Sequence, residues 1–206
     1  MIVGTSIKDQ VYNELRNEIL RGNYKSGEQL NPKVLSKRYG VSVMPVRDAL
    51  LHLVQKHLVV NRERVGFFVA NYTISEMHAL MEMRKLYELY NIEWYFGALD
   101  KKALIENHEK MKKCLGKDKN QFDQCDILFH NLIIRASNNI FLEQHYSDIE
   151  CTIALMVYKD IEHEKEAYIE HERIIQAIVN GDKATATMAL NNHLNRIEQV
   201  FESNMK

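Results

Sequence analysis

Proline occurs only twice in the 206 residues, at Pro32 and Pro45, and glycine only eight times. So few turn-formers argue against an all-β chain and against a disordered one. Cysteine is scarce as well. Cys114, Cys125 and Cys151 are odd in number and show no CxxC spacing, so they read as reduced, mostly buried thiols of a cytosolic protein. No apolar run is long enough to span a bilayer, and the N-terminus lacks a signal-peptide pattern. The expected location is therefore cytoplasmic, with no membrane partner. Internal repeats and low-complexity segments are also missing.

What the chain does contain favours helix. Leu, Met, Glu, Lys and Ala are plentiful, and 46% hydrophobic residues suffice for a real core in one or two domains. The net charge of −1 hides an asymmetry. Residues 1–72 carry 11 Lys/Arg against 6 Asp/Glu, and residues 73–206 carry 16 against 22. A basic small half beside an acidic larger half suggests a nucleic-acid domain joined to one that does not touch nucleic acid.

In the basic half, Ile7, Val11, Leu15, Ile19 and Leu20 recur at helical spacing over 6–21, and Ser6 with Asp9 opens that helix like a capping box. A short helix over Lys33–Tyr39 follows, with Pro32 in its first turn, and then Gly40–Val41 turns the chain. The stretch Val41–Leu53, VSVMPVRDALLHL, begins a second helix. Ser42 is an N-cap type, Pro45 sits in the first turn, and Leu50, Leu53 and Val54 share one face while Arg47 projects from another. Two short helices joined through a glycine turn outline a helix-turn-helix, whose second helix enters the major groove. Leu58–Asn61 and Gly66–Ala70 read as strands of a hairpin with Arg62-Glu63-Arg64 at its tip, the wing of a winged helix.

From Thr73-Ile-Ser-Glu76, a capping box, nearly everything reads as helix: about 74–98, 101–115, 119–137, 140–163, 165–180 and 183–204. The expected fold class is mostly α, a winged helix-turn-helix over residues 1–71 followed by an all-α antiparallel six-helix bundle over 72–206. In the bundle, Asp126 and His130 are four apart on one helix and leave the same face. His171 and His193 lie on two later helices across the Gly181-Asp182 turn, which an antiparallel pair would bring to similar height. Spacing alone leaves a metal site and ordinary core histidines both open. His52, His57, His78, His108, His145 and His163 read as surface or core residues. The lysines of 101–119 read as a solvated face, and Tyr87, Tyr90, Trp94, Tyr95 and Phe96 as packing or dimer contacts.

These residues carry a family likeness. LRNEILRGNYKSGEQL, LSKRYGVSVMPVRDALLHL and the GFFV that closes the wing resemble the winged-helix domain of the GntR superfamily of bacterial transcription regulators. Arg84 in MRKLYE, DILFH at 126–130, ASNN at 136–139, EHERIIQAIVNGD at 170–182 and His193 in NNHL resemble the ligand-binding FCD domain of the FadR subgroup, in its six-helix, VanR-like branch. The resemblance implies that Lys33, Ser42, Val43, Met44, Arg47, Arg62, Arg64 and Gly66 meet double-stranded operator DNA. It implies that Asp126, His130, His171 and His193 hold a divalent ion such as zinc, nickel or manganese. It implies that Arg84 pairs with a small organic acid effector, although an ion pair with Glu82 or Glu88 is the other use for that side chain. Asn139 reads as a helix cap. Most family members have Arg-Thr before the Pro-Val-Arg, and this chain has Val43-Met44. Those apolar side chains can touch thymine methyls, which shifts the expected operator preference; the alternative is weak DNA binding.

The expected function is a homodimeric, ligand-responsive regulator, a repressor, and not an enzyme. A two-fold protein would place one recognition helix in each half-site of a palindromic operator. Acid bound at the metal and Arg84 would move the first bundle helix and so change the half-site spacing. The alternatives are a metal-responsive regulator with no organic effector and, further off, a helical-bundle metalloenzyme.

Overall fold

The computed structural model describes residues 6–157 and 163–204, which divide into two compact units, the first ending at Tyr72 and the second starting at Thr73, with Ala154–Val157 grouped with the first. The first unit is built on three helices, α1 (Ile7–Leu20), α2 (Pro32–Tyr39) and α3 (Val43–Gln55), and a three-stranded antiparallel sheet of β1 (Gln29–Leu30), β2 (Val59–Arg62) and β3 (Gly66–Val69). Val11, Leu15 and Ile19 of α1 meet Val46, Ala49, Leu50 and Leu53 of α3, all buried, because each set recurs at helical spacing on one face. Asn31 caps α2 by accepting the Lys33 N–H at 2.9 Å, with Pro32 at the first helical position. Gly40 ends α2 in the left-handed conformation (φ 65°), the turn that aims α3 away from α2. Glu18 is buried on α1, where it accepts from Tyr39 at 2.7 Å and pairs with Arg38, so that one carboxylate ties α2 to α1.

The sheet order is β1-β3-β2. Strand β1 is not expected from the sequence, since two residues carry no periodicity. It forms because Gln29 and Leu30 pair with Phe68 and Phe67. Strand β2 is shifted by one residue from its expected bounds, and β3 starts at Gly66 as expected but ends one residue earlier. Leu58 N–H bonds the Leu53 carbonyl and closes α3, while Arg62 pairs with Gly66 and so belongs to β2 rather than to the tip.

The second unit comprises six helices among the described residues: α4 (Ile74–Tyr95), α5 (Lys101–Cys114), α6 (Lys119–Arg135), α7 (Ile140–Val157), α8 (His163–Val179) and α9 (Lys183–Asn204). Their starts are marked by side-chain caps. Thr73 and Glu76 form a full capping box on α4, and Asp100, Asp118, Asn139 and Asp182 accept backbone N–H groups at the starts of α5, α6, α7 and α9. Helix α4 ends at Tyr95 and tightens into a 3-10 turn over Phe96–Ala98, short of the expected 98. The expected end of α7 at 163 lies partly outside the described residues, and His163 begins α8 instead. Helix α8 packs on α9, α5 on α6 and α8, and α4 on α9 and α6. Met77, Met81, Leu104, Phe129, Ile133, Ile174, Leu190 and Leu194 fill the core between them. The outer face of α4 is apolar too. Met83, Leu86, Tyr90 and Trp94, three or four residues apart, are 43%, 71%, 45% and 70% exposed.

Candidate DNA-reading surface and metal centre

On the first unit, the buried face of α3 leaves Ser42, Val43, Met44 and Arg47 pointing outward, with Met44 68% exposed. Ser42 occupies the N-cap position, but its side chain makes no capping bond. Lys33 is exposed at the start of α2. Arg62, Arg64 and Val65 are exposed along the wing. The wing turns through Val65 N–H to the Arg62 carbonyl at 3.1 Å, with Arg64 (φ 60°) and Gly66 (φ 130°) in positive-φ conformations. A Cβ at position 66 would stand 3.2 Å from Gln29 Nε2, so glycine suits this position in two respects. The Arg62 guanidinium lies over the Phe68 ring at 4.5 Å, which stiffens that side chain.

In the second unit, α6, α8 and α9 bring His130, His171 and His193 together, all fully buried or nearly so, with a donor nitrogen of each within 4.8 Å of the others. His193 Nε2 stands 3.3 Å from His130 Nε2 and 3.4 Å from His171 Nε2. Asp126, one turn before His130, places Oδ1 3.5 Å from His171 Nε2. Carboxylates fix two of the rings from behind. Glu88 Oε2 is 2.6 Å from His130 Nδ1, and Glu170 Oε2 is 2.7 Å from His193 Nδ1. An ionised carboxylate only accepts, so each Nδ1 carries the proton, and each Nε2 is turned inward, where an unprotonated ring presents a lone pair. Two lone pairs facing each other at 3.3 Å repel unless a cation lies between them. A tetrahedral ion with bonds of about 2.0–2.1 Å separates its ligand atoms by about 3.3–3.4 Å, the spacing found from His193 to each of the other two imidazoles. The residues therefore fit a divalent ion, and the donor set of imidazoles with an adjacent carboxylate suits one of the first row.

The electrostatics favour neutral imidazoles at His171 and His193. Burial and the neighbouring His193 and His130 hold His171 well below the usual imidazole range. Burial also lowers His193, against the opposing effect of its hydrogen bond to Glu170. Burial works to raise Glu88, but His130 and Arg84 hold it below the ordinary carboxylate range. Arg84 is buried on α4 and donates from Nε to Glu88 Oε1 at 2.7 Å, so of the two expected partners, Glu82 and Glu88, it takes the one a helical turn ahead. Tyr146 donates to the same oxygen at 2.7 Å.

Residues 7–69 match the family of bacterial regulatory proteins named gntR, and residues 79–196 match the FCD domain. This chain belongs to the FCD-domain family and carries a gntR-type helix-turn-helix domain. The Escherichia coli K12 "Probable HTH-type transcriptional regulator LgoR" is 27% identical over 186 residues, 85% of this chain and 61% of its own length. The Bacillus subtilis gluconate operon transcriptional repressor is 26% identical over 202 residues, 92% of this chain and 82% of its own. A GntR regulator structure from Rhodococcus sp. RHA1 has the same fold, with a TM-score of 0.86 at 20% identity over 97% of this chain and 99% of that one. The Zn2+-bound FCD domain of TM0439 superposes with a TM-score of 0.58 at 25% identity, covering 66% of this chain and 98% of that one. These gntR-family relatives are transcriptional regulators, several of them repressors, and not enzymes, which sets the metalloenzyme alternative aside.

Sequence reasoning weighed Glu88 only as a partner for Arg84 and missed Glu170 and Tyr146. A signal for Glu88 was present. Met77, Met81, Arg84, Glu88 and Ile92 recur on one face of α4, so a carboxylate stands among buried positions. Glu170 lies beside His171 in sequence but serves His193 on the next helix, and adjacency gives no hint of that.

Proposed function

We propose that this gntR-family chain is a homodimeric transcription repressor of the FadR subgroup, in its VanR-like branch. Residues 1–71 bind operator DNA, and residues 72–206 bind the effector and dimerise. The observation that supports metal control is the pair of inward-facing Nε2 atoms on His130 and His193 at 3.3 Å, with His171 and Asp126 completing the donor set. Zinc, nickel or manganese bound there supplies a Lewis-acidic centre for a small carboxylate, and Arg84 supplies the matching charge. Lys33, Ser42, Val43, Met44, Arg47, Arg62, Arg64 and Gly66 read and hold the duplex in the cytoplasm. The exposed apolar face of α4, with Leu86 and Trp94 its most exposed members, supports the dimer, since a two-fold contact of that face would take Trp94 out of water in both copies.

A second reading has its own support. Arg84 already pairs with Glu88, so metal alone can be the signal, with no organic acid. One experiment addresses both. Metal content of the purified chain is measured by mass spectrometry, and binding to a duplex selected from a random pool is then followed with metal, with chelator, and with a panel of small carboxylic acids. Metal-free, fully folded protein sinks the metal assignment. Affinity that answers to chelator but to no acid favours metal alone.

A further inference from the structure

Glu88 has no solvent exposure, and both its oxygens are in use. Oε1 accepts from Arg84 Nε and Tyr146 Oη, each at 2.7 Å, and Oε2 faces His130 Nδ1 at 2.6 Å. Glu170 makes the equivalent bond to His193, but its other oxygen goes to Arg196 Nε at 2.7 Å, a side chain 22% exposed to water. The two orienting carboxylates are therefore not equivalent. Only Glu88 links a histidine of the cluster to the buried arginine of the same bundle.

We propose that Glu88 is a positioning residue that couples the three-histidine centre to Arg84, so that the charge on Arg84 tunes how strongly His130 donates to a metal. This rests on the metal reading above. A carboxylate shared with a guanidinium is a weaker acceptor for imidazole than one that is not shared, and a stronger acceptor makes the ring a better ligand. An anion that draws on Arg84 therefore frees Glu88 for His130 and tightens the metal, and by linkage the metal tightens the anion by the same factor.

The test needs only metal. Zn2+ affinity is measured by competition with a chromophoric chelator, and Co2+ spectra are recorded, on the full chain, on Arg84→Gln, on Glu88→Gln and on the double variant. Glu88→Gln is expected to lose about 10–100-fold in affinity and to shift the Co2+ bands. Arg84→Gln is expected to gain about fivefold, and that gain is expected to vanish when Glu88 is also Gln. A direct through-space effect of the Arg84 charge would survive in the Glu88→Gln background, so equal Arg84→Gln effects in both backgrounds overturn the coupling. Wild-type affinity and an unchanged Co2+ spectrum in Glu88→Gln overturn the positioning role. The double variant carries neither buried charge and reports on His130 even where Glu88→Gln leaves Arg84 unpaired and the chain unfolded. If the wild-type chain binds neither ion, the metal reading fails, and this inference fails with it.

Discussion

If the proposed α4 face forms a dimer, replacing Trp94 with alanine should dissociate it. Aromatic side chains offer about 150–250 Å² for burial. At 70% exposure, Trp94 keeps about 170 Å² in water on each isolated copy. Covering half of that area on both copies, at about 25 cal/mol per Å², contributes about 4 kcal/mol. Losing it raises the dimer dissociation constant about a thousandfold. Sedimentation velocity from nanomolar to high-micromolar chain measures the shift. A second readout is built in, because Trp94 is the only tryptophan. Its emission should move to the red as the wild-type chain is diluted through the dissociation constant, as its indole passes from a covered to a wet surface. Trp94→Ala dissociating at the wild-type concentration, or emission that does not change on dilution, refutes the α4 contact.

Three other outcomes are expected. Zinc at a hundredfold excess over its dissociation constant should stabilise the chain by about 2.7 kcal/mol and raise the melting temperature by about 5–10 °C, and His193→Ala should abolish the response in calorimetry. In the metal-free chain, His171 stays neutral below the pH where the unfolded imidazole takes its proton. Stability is therefore fully present above about pH 6.5 and falls by about 1.4 kcal/mol per pH unit below it, until the folded pKa is reached. His193 adds to this over its own window, while His78, raised by its bond to Glu198, works in the opposite sense from a solvated position. Urea midpoints between pH 7.5 and 5.5 check it, and an unchanged slope in His171→Leu counts against it. Arg47→Ala should weaken binding to the selected duplex by about 1–3 kcal/mol and relax specificity at one base pair, whereas Lys33→Ala should weaken all sequences alike and reduce the salt slope by about one. Equal losses on selected and random duplex for Arg47→Ala would remove it from base readout.

The parts of this molecule legible in its sequence are those set by local chemistry. Thr73 with Glu76, Asn139 and Gly40 mark helix ends through bonds that span only a few residues, and each stands where the residues place it. The two faces of α3 follow from its periodicity, with Val46, Leu50 and Leu53 inside and Arg47 outside. The histidine cluster was legible as a set of spacings, and the fold brings three of its imidazoles to one point. What escaped depends on partners far along the chain. Strand β1 exists only because β3 lies beside it, the Glu88 bond to His130 crosses 42 residues, and that of Glu170 crosses 23 to the next helix. A buried glutamate is indistinguishable in sequence from a solvated one until its neighbours are known.

Helix α4 is committed on two faces, with exposed Glu82 standing between them. Inward it carries Arg84 and Glu88 among Met77, Met81 and Ile92, and outward it carries Met83, Leu86, Tyr90 and Trp94. A drift in sequence on most helices has a free face on which to happen; the lysine-rich outer side of α5 is such a face. On α4, a change on either side touches a task. Among descendants of this chain, α4 should therefore vary most slowly of the bundle helices and α5 fastest. A library saturating both helices, scored for repression, should show tolerated substitutions crowding onto the outer side of α5 and rare at Met81, Arg84, Glu88 and Ile92 of α4.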